Sequence, residues 1–467
     1  MRIRSAEKDR SMRILFAAHQ FFPEHYAGVE IVTLGLAKEL RARGYETFVL
    51  AAKRSIPGND IRPGEIEDYE FEGIPVRRVG RPKEGPNQPY RLDYENEIMA
   101  QRAREYMHEV RPDIVHAEHF QGLSTSVIPA FKEFDVPLVY TATDFWTVCP
   151  VYTLRRHDGV MCRGPEIAHC VRCIASQHPG SRMKAAVDLT PDATIRAAGT
   201  LSKTPLSKLS YTLHQVGALK ERPGHIREKM EQVDHIITYT HLMKELLLAN
   251  GIGEGKIGVS PYGIDTSRIV GIPRNQNIPP PLRVGFIGTV APHKGCDILI
   301  RAFRELPQET KATLDIYSNL ERFKPFVKRL RQLAEGDKRI NFVGPFKREN
   351  VGEVLSGLDV LVVPSRWYEN QPGVILEAFA AGMPVVATDL GGMSEFVRHE
   401  ENGLLFELDR PDDLTRQLRR LATEAGLIER LRSGIGPVKT VEDDADELEE
   451  LYTSLLARKS RQVEPRR

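Results

Sequence analysis

The stretch DVLVVPSRWYENQPGVILEAFAAG (359–382) combines three local signals. DVLVVPS is a short run rich in β-branched apolar residues, which predicts a buried strand. RWYENQ is polar and stops at a Pro-Gly pair, which predicts a loop. PGVILEAFAAG is apolar, and it predicts a helix that starts at Pro372 and is capped by Gly382. The stretch is therefore a predicted strand–loop–helix unit that carries two carboxylates, Glu369 and Glu377.

The same alternation of strand and helix recurs along the chain. Because the apolar runs are continuous rather than alternating, we expect parallel sheets with helices on both faces. EIVTLGLAKELRARG (30–44) predicts one such helix, with Gly44 as its C-cap. The fold prediction is α/β, with two tandem doubly wound, Rossmann-like domains, ligands in the cleft at the carboxyl ends of the strands, and a C-terminal helix. The predicted strands are RILFAA (13–18), TFVLAA (47–52), DIVHA (113–117), PLVYTA (137–142), HIITYT (235–240), LRVGFIGT (282–289), ATLDIYS (312–318), INFVG (340–344), DVLVVPS (359–365), PVVAT (384–388) and GLLF (403–406).

The length of 467 residues exceeds what one hydrophobic core organises and fits two domains. RIVGIPRNQNIPPPL (268–282) is rich in Pro, Asn and Gly, and it predicts the connection between them. The predicted segments are a flexible tail 1–11, an N-terminal domain 12–266, a linker 267–282, a C-terminal domain 283–438, a C-terminal helix 439–458 and a basic tail 459–467.

Composition excludes several classes of protein. The balance of 65 basic and 64 acidic residues argues against a protein that binds nucleic acid over its whole surface. No stretch approaches the roughly 20 apolar residues that span a bilayer. The first eleven residues, MRIRSAEKDRS, lack the apolar core of a secretory signal. We therefore expect a cytoplasmic protein, whose five cysteines are thiols or metal ligands rather than disulfides.

GFIGTVAPHKG (285–295) predicts an anion site. It matches neither G-x-G-x-x-G nor the P-loop pattern, which argues against a dinucleotide dehydrogenase and a P-loop NTPase. It still places a turn at Gly288 and an ammonium at Lys294 directly before a helix, and helix N-termini favour anions. The N–H groups of Gly373 to Ile375, at the start of the predicted helix 372–382, form a second expected cradle.

The two glutamates differ in their expected roles. Eight residues of continuous helix rise about 12 Å, whereas the paired carboxyls of glycosidases lie about 5–9.5 Å apart. The spacing therefore fits two ends of a longer ligand better than one glycosidic bond. Glu377 is flanked by Leu376, Ala378 and Phe379, so its burial requires a partner, and a ribose diol offers two donors.

The spacing Glu369–x7–Glu377 within PGVILEAFAAGMPVVATDLGGMSEFV resembles the signature of glycosyltransferase family 4, a retaining group with the GT-B fold. AGVE (27–30), YGIDTSR (262–268), GTVAPHKG (288–295) and LEELYTSLL (448–456) are similar to other landmarks of that family, so the resemblance spans nearly the whole chain. It implies a nucleotide-sugar donor bound by the C-terminal domain and an acceptor bound by the N-terminal domain.

The resemblance also implies roles for individual residues. Glu377 would bind the ribose hydroxyls, and Glu369 would bind the donor sugar. Lys294 and the backbone of residues 370–374 would bind the diphosphate, and such preorganised donors stabilise the negative charge on the leaving group. No divalent metal is then required for catalysis. The implied donor-binding set is Gly28, Gly288, Thr289, Lys294, Glu369, Asn370, Gln371, Pro372, Gly373, Val374 and Glu377.

Two departures from the family pattern affect these roles. Thr289 stands where the family commonly has a diphosphate-binding arginine, and Arg366 or His293 are the candidates to replace it. The family often shows His-x-His after the strand that matches DIVHA, whereas this chain has Glu118 at the second position and His119 one residue later. Glu369 and Lys294 are the main catalytic candidates, and Glu118 and His119 are further ones.

Cys149, Cys162, Cys170 and Cys173 fall within 25 residues, in the order C-x12-C-x7-C-x2-C. Four thiolates fit a structural tetrahedral zinc site, although the spacing is not that of a common zinc finger. The alternative is four reduced thiols in a loop-rich insertion, with His157 and His169 nearby. Some family members resemble this stretch, which indicates a subgroup with a cysteine-bearing insertion in the N-terminal domain.

The predicted insertion, 149–230, is also basic. Residues 151–230 hold 13 Lys and Arg against 6 Asp and Glu. Such a segment suits an anionic membrane surface at the inner face of the cell membrane or a lipid-diphosphate acceptor, and an ordinary solvated surface is the alternative.

The leading hypothesis is a retaining glycosyltransferase, a hexosyltransferase of the EC 2.4 class, active in polysaccharide biosynthesis. It would transfer a sugar from a nucleotide-diphosphate sugar to a glycan, lipid-linked or small-molecule acceptor, without nucleic acid as a partner. A GT-B sugar-nucleotide epimerase and a catalytically silent GT-B-like binding protein are the alternatives.

Overall fold

The computed structural model describes residues 11–24, 27–54, 61–81, 90–177, 180, 182–201, 211–273 and 282–463. The chain divides into two compact units, one of residues 1–261 with 441–467 and one of residues 262–440. The predicted tail, apart from residue 11, and the part of the predicted linker at 274–281 lie outside the described residues.

Unit 1 is built on an eight-stranded sheet with the order β3-β4-β2-β1-β5-β6-β7-β8. All neighbouring strands are parallel except β3 and β4, which form an antiparallel hairpin at one edge. The strands are β1 (Arg13–Ala18), β2 (Glu46–Lys53), β3 (Ile66–Phe71), β4 (Ile74–Gly80), β5 (Ile114–Ala117), β6 (Leu138–Ala142), β7 (His235–Thr238) and β8 (Ile257–Val259).

The helices of unit 1 cover this sheet and form the predicted insertion. The helix predicted at 30–44 is observed at Gly28–Ala42, and Gly44 follows it with a φ of 95°, the left-handed geometry of a glycine cap. The helices are α1 (Gly28–Ala42), α2 (Glu97–Val110), α3 (Val127–Lys132), α4 (Ile167–Ser176), α5 (Arg182–Leu189), α6 (Asp192–Leu201), α7 (Tyr211–Met230), α8 (His241–Ala249) and, from the end of the chain, α16 (Val441–Val463).

Unit 2 is built on a six-stranded, fully parallel sheet with the order β11-β10-β9-β12-β13-β14. The strands are β9 (Leu282–Ile287), β10 (Ala312–Tyr317), β11 (Ile340–Phe342), β12 (Val360–Val363), β13 (Val385–Thr388) and β14 (Gly403–Phe406). The helices are α9 (Cys296–Arg304), α10 (Lys324–Ala334), α11 (Val351–Ser356), α12 (Gly373–Ala380), α13 (Gly392–Phe396), α14 (Pro411–Thr423) and α15 (Leu427–Ser433).

Each unit buries its own apolar core. In unit 2 the strand residues Val284, Leu314 and Val362 are buried against Leu299 and Leu418 of the covering helices. This arrangement explains the continuous apolar runs in the sequence, since both faces of a parallel sheet are covered. The fold prediction of two doubly wound α/β domains is confirmed. Among the described residues, no helix is long and apolar enough to cross a membrane.

Candidate active site in the second unit

Glu369 lies in the loop between β12 and α12 and is held by three donors. One oxygen, Oε1, accepts hydrogen bonds from Lys294 Nζ at 2.7 Å, from Ser365 Oγ at 2.6 Å and from Trp367 Nε1 at 2.7 Å. Burial alone would raise the pKa of Glu369, but the charge and hydrogen bond of Lys294, with the other two donors, hold that pKa below its usual value. Glu369 is therefore a fixed, ionised carboxylate.

Lys294 reaches Glu369 from the turn before α9. This turn, Pro292–Lys294, ends at Gly295, which adopts a φ of 69°. A Cβ at Gly295 would lie 1.8 Å from the carbonyl oxygen of Pro364, so only glycine allows the turn to pack against the end of β12. Lys294 Nζ also lies 5.1 Å from the centre of the Trp367 ring. The two predicted residues are thus brought together as an ion pair.

The start of α12 differs in detail from the prediction. The helix begins at Gly373, with Pro372 as its N-cap, one residue later than expected. Gly373 and Val374 are the first helical residues, so their N–H groups have no partner within the helix. The Ile375 N–H instead donates to Pro372 O at 2.9 Å, so the prediction that it is free was wrong. The predicted cap at Gly382 is confirmed by its φ of 61°.

The loop 369–371 is fixed by backbone contacts from both sides. Gln371 accepts a hydrogen bond from Tyr262 N at 3.0 Å and donates one to Tyr262 O at 2.8 Å. Gly392 N donates to Glu369 O at 3.0 Å, and a Cβ at Gly392 would lie 1.9 Å from Asn370 O. The Gln371 side chain therefore ties the loop to the backbone of Tyr262, and the predicted role of the 370–374 backbone in binding the diphosphate stays a prediction.

Glu377 is buried on α12 and pairs with Arg348, a residue that the sequence did not single out. Burial raises the pKa of Glu377, and Arg348 opposes that rise. The expectation that a buried Glu377 needs a partner is met by this arginine in the structure. No sequence signal separates Arg348 from Lys347, its neighbour in an exposed, charged turn.

Arg366, a candidate to replace the missing diphosphate arginine, is engaged by two carboxylates in the structure. Its guanidinium pairs with Asp297 at 2.6 and 3.0 Å and, through Nε, with Asp409 at 2.5 Å. These contacts tie the loop after β12 to α9. The His293 ring packs against Trp367 with ring centres 4.3 Å apart and ring planes tilted by 47°.

The glycine turn after β9 is the remaining part of the predicted donor set in unit 2. Gly288 adopts a φ of 149° and is exposed, with no atom within 4 Å of the Cβ that a larger residue would carry. Thr289 is half-buried, and its carbonyl accepts a hydrogen bond from Ala291 N at 2.8 Å. The turn is open on the side where a Cβ would project.

The candidate residues of unit 1 lie at the carboxyl ends of β1 and β5. His119 is buried, its Nδ1 accepts a hydrogen bond from Gln121 N at 2.9 Å, and its Nε2 lies 3.0 Å from Asp144 Oδ1. The neutral ring therefore carries its proton on Nε2 and donates it to Asp144. The His19 ring packs against the same imidazole with centres 4.8 Å apart and ring planes tilted by 47°. Gly28 is the first residue of α1, and a Cβ there would touch nothing within 4 Å.

Glu118 is directed into the interior of unit 1. Its side chain is 1% exposed, and Oε1 has no hydrogen-bond partner among the described residues. Burial, with the nearby charge of Asp444, raises the pKa of Glu118 to about 8. The neighbouring His116 is bonded to Tyr452 Oη and Thr141 Oγ1, at 2.6 Å each, and burial lowers its pKa to about 3. Of the two candidates, His119 is the one that contacts a partly exposed carboxylate.

The four insertion cysteines line one small cavity of about 20 Å³ with His169. Burial raises the pKa of Cys170 to about 12 and that of Cys173 to about 11, and the neighbouring thiols contribute to both. The donor set suits zinc, but in the part of the chain that the structure describes no three His, Cys, Asp or Glu side chains are arranged to hold a metal ion. The zinc site stays a prediction.

Two family models match the chain, one in each unit. Residues 27–177 match the model described as glycosyl transferase 4-like domain, and residues 281–424 match that of glycosyl transferases group 1. The chain carries a glycosyltransferase domain in each of these two stretches. The prediction of glycosyltransferase domains is confirmed for residues 27–177 and 281–424.

Curated relatives carry related names. The D-inositol 3-phosphate glycosyltransferase of Rhodococcus jostii is 32% identical over 157 residues, which cover 32% of this chain and 34% of that protein. The protein of the same name from Nocardia farcinica is 28% identical over 226 residues, which cover 42% of this chain and 49% of that protein. The matched part thus spans less than half of either relative.

Solved structures resemble the chain over nearly its whole length. Sucrose-phosphate synthase from Thermosynechococcus elongatus has a TM-score of 0.65 and 18% identity, with 96% of this chain and 100% of that chain covered. Anabaena Alr3699/HepE in complex with UDP and glucose has a TM-score of 0.60 and 18% identity, with 95% and 100% covered. At these identities the likeness shows the fold alone.

Proposed function

We propose that the protein is a retaining glycosyltransferase that uses a nucleoside-diphosphate sugar as donor. The observation that carries the proposal is the strand–loop–helix unit of residues 359–382. It presents an ionised Glu369 paired with Lys294, followed by the open N–H groups of α12 and the buried Glu377. A nucleoside-diphosphate sugar carries, in order, a sugar, a diphosphate and a ribose. A carboxylate suits the sugar hydroxyls, N–H groups at a helix start suit the diphosphate, and a second carboxylate suits the ribose diol.

The chemistry that these groups serve is breakage of the bond between the sugar and the diphosphate. The bonding electrons pass to the diphosphate oxygen, the acceptor oxygen bonds to the same sugar carbon, and the acceptor proton goes to the diphosphate. Lys294 and the N–H groups of Gly373 and Val374 stabilise the charge that develops on the diphosphate. We infer that these groups make a divalent metal unnecessary for the reaction.

The names of the similar proteins suggest which substrates to test first. UDP and glucose are bound by the Anabaena protein, which makes UDP-glucose the first donor to test. The relatives from Rhodococcus and Nocardia are named for D-inositol 3-phosphate, which places phosphorylated polyols beside glycans and lipid-linked sugars among the acceptors. The His119–Asp144 pair is the feature of unit 1 that we assign to the acceptor end.

A turnover assay tests the proposed function. Chromatography would follow release of the nucleoside diphosphate from UDP-, GDP- and ADP-sugars, with and without acceptor, in the presence of EDTA. We expect turnover that rises with acceptor, and a loss of about 100-fold or more in Glu369→Gln, comparable with the loss on removing one preorganised oxyanion-hole donor. Glu407, an exposed glutamate of the same unit, gives the control Glu407→Gln. Conversion of the nucleotide sugar without acceptor would indicate an epimerase, and no conversion at all would indicate a binding protein.

We also propose that the basic insertion contacts an anionic membrane. Its helices α5 and α6 expose Leu189, at 86%, and Leu201, at 48%, within the segment that carries the net positive charge. Apolar side chains among cations suit the interface of an anionic bilayer. Co-sedimentation with anionic but not neutral vesicles would support this contact, and equal recovery with both would reject it.

A further inference from the structure

Arg348 begins the turn Arg348–Asn350, directly before α11, and lies against the buried carboxylate of α12. Its Nη1 pairs with Glu377 Oε1. The side chain of Glu377 is 9% exposed, whereas that of Arg348 is 47% exposed. The pair therefore joins a buried anion to a cation that stays open to solvent on one side.

Two other titratable groups face this pair. Tyr262 is buried, and its pKa is raised by burial and by the charge of Glu377. Asp265 is close enough to Arg348 for the arginine charge to affect it. Burial alone would raise the pKa of Asp265, but hydrogen bonds from Ser267 and the charges of Arg268 and Arg348 lower it. Among the described residues, Arg348 is the cation that acts on Glu377 itself.

The state of Glu377 matters for a ligand that presents hydroxyl donors. A carboxylate accepts hydrogen bonds on both oxygens, and such charge-assisted bonds are roughly twice as strong as neutral ones. A carboxylic acid has to place its own proton on one of these oxygens. A buried glutamate without a cation takes up that proton, because burial disfavours the charged form.

We propose that Arg348 is a positioning residue for the donor nucleotide, which pairs with the buried Glu377 and keeps it as a carboxylate aimed at the ribose hydroxyls. The inference rests on the proposed function and deepens it, since it names the residue on which ribose recognition by Glu377 depends. Arg348 acts through Glu377 and does not take part in the chemistry at the sugar.

The test is calorimetric titration of the full-length protein with UDP, GDP and ADP between pH 6 and pH 8.5. The diphosphate that binds the wild type is then compared with its 2′-deoxy counterpart in Arg348→Ala, Arg348→Lys, Glu377→Gln and the double variant Arg348→Ala/Glu377→Gln. Arg268 supplies the matched control Arg268→Ala, because it is 48% exposed and pairs with Glu349, which is 64% exposed. Thermal melts would establish that every variant is folded.

We expect Arg348→Ala to bind the ribonucleotide about tenfold more weakly at pH 6.5 and to recover affinity as the pH rises. The pH at which its binding is half lost should be higher than in the wild type. Arg348→Lys should restore most of the affinity. Preference for the ribonucleotide over its 2′-deoxy counterpart should shrink in Arg348→Ala. Both variants that lack Glu377 should bind weakly without this pH dependence.

Two results would overturn the proposal, and they differ in meaning. If the wild type binds a nucleotide and Arg348→Ala matches it in affinity, pH profile and 2′-deoxy discrimination, Arg348 is only a surface partner of Glu377. If none of the three diphosphates binds the wild type, the proposed function itself fails, and the role of Arg348 fails with it.

Discussion

At the scale of single residues, the contrast between Glu369 and Glu118 shows how burial sets charge. Both carboxyls are buried, but Glu369 receives three hydrogen bonds on one oxygen, whereas Glu118 Oε1 receives none from the described residues. The pKa of Glu369 is accordingly held below its usual value, and burial raises that of Glu118 to about 8. Glu369 is suited to bind a sugar hydroxyl, whereas ionisation of the buried Glu118 would lower the stability of the fold.

Glu118 should make unfolding depend on pH. Its pKa is higher in the folded state than in the unfolded chain, so the folded state binds the proton more tightly and is favoured by acid. We expect the contribution of Glu118 to the free energy of unfolding to fall by a few kcal/mol as the pH rises from about 4.5 to about 8. Glu118→Gln should remove most of that fall, as measured by urea unfolding across this range.

Glu70, an exposed glutamate on β3, gives the matched variant Glu70→Gln, which should leave the pH profile of the wild type intact. A profile of Glu118→Gln as steep as that of the wild type would show that Glu118 is already ionised in the folded protein near neutral pH.

What the sequence could say about single residues depended on local context. The apolar flanks of Glu377 predict that it needs a partner, and the structure supplies one. Which residue does so could not be predicted, because Arg348 lies in an exposed run of charges. The sequence made Arg366 a candidate diphosphate ligand, but in the structure its guanidinium pairs with Asp297 and Asp409, which are both distant in sequence.

At the scale of secondary-structure elements, the candidate site consists of loops that pack closely against neighbouring backbone because glycines stand at the contact points. Gly295 lies against the end of β12, and Gly392 lies against the loop that carries Glu369. In both places a Cβ would collide with a backbone carbonyl. The positions of Lys294 and Glu369 therefore depend on residues without side chains.

Gly392→Ala should disturb the loop 369–371. The added Cβ would lie 1.9 Å from Asn370 O and 2.5 Å from Glu369 O, so the loop has to move. We expect a loss of about 1–3 kcal/mol in stability, the usual cost of overpacking, together with weaker nucleotide binding. Denaturant unfolding and calorimetry measure the two effects.

Gly436→Ala is the control for this substitution, since Gly436 is exposed and its Cβ would meet no atom within 4 Å. Unchanged stability and binding in Gly392→Ala would mean that the loop is not held by this contact.

The cysteine-bearing insertion carries the second prediction at this scale. Four thiols around one small cavity lead us to expect about one zinc ion per chain, bound as a structural ion with four protein ligands. Elemental analysis of the purified protein measures the metal, and chelation should lower the melting temperature. Cys296, buried in unit 2, gives the control Cys296→Ala, which should keep the metal. Metal-free protein that melts at the same temperature as protein supplied with zinc would contradict the prediction.

The strands that could be predicted from the sequence differ in their hydrophobic pattern from those that could not. All eleven predicted runs are strands in the structure, because continuous burial leaves an unbroken apolar signature. The three-residue β8 was missed, and so was the hairpin of β3 and β4, whose first strand, IEDYEF, alternates and is largely polar, as suits an edge strand. The hairpin turn, Glu72-Gly73, has positive φ at both residues, 47° and 82°, a geometry that glycine favours in a tight hairpin.

At the scale of the whole molecule, the end of the chain returns to the first unit. Ala445, Leu448, Tyr452 and Leu455 of α16 are buried in the same core as β1 and α1. A C-terminal helix was predicted at 439–458. The sequence could not predict which unit the helix packs against, because its apolar face could pack on any exposed apolar surface. The Tyr452–His116 hydrogen bond, across 336 positions of the sequence, illustrates what local patterns omit.

The candidate donor site of unit 2 is the part of the molecule on which the proposed function depends. The decisive measurement is a calorimetric titration of the full-length protein and of Glu377→Gln with UDP, GDP and ADP. We predict that one of these diphosphates binds the wild type and that Glu377→Gln binds it at least about tenfold more weakly, a difference of about 1.4 kcal/mol. Failure of all three to bind, or equal binding by Glu377→Gln, would contradict the assignment of the strand–loop–helix unit 359–382 to a nucleotide-sugar donor.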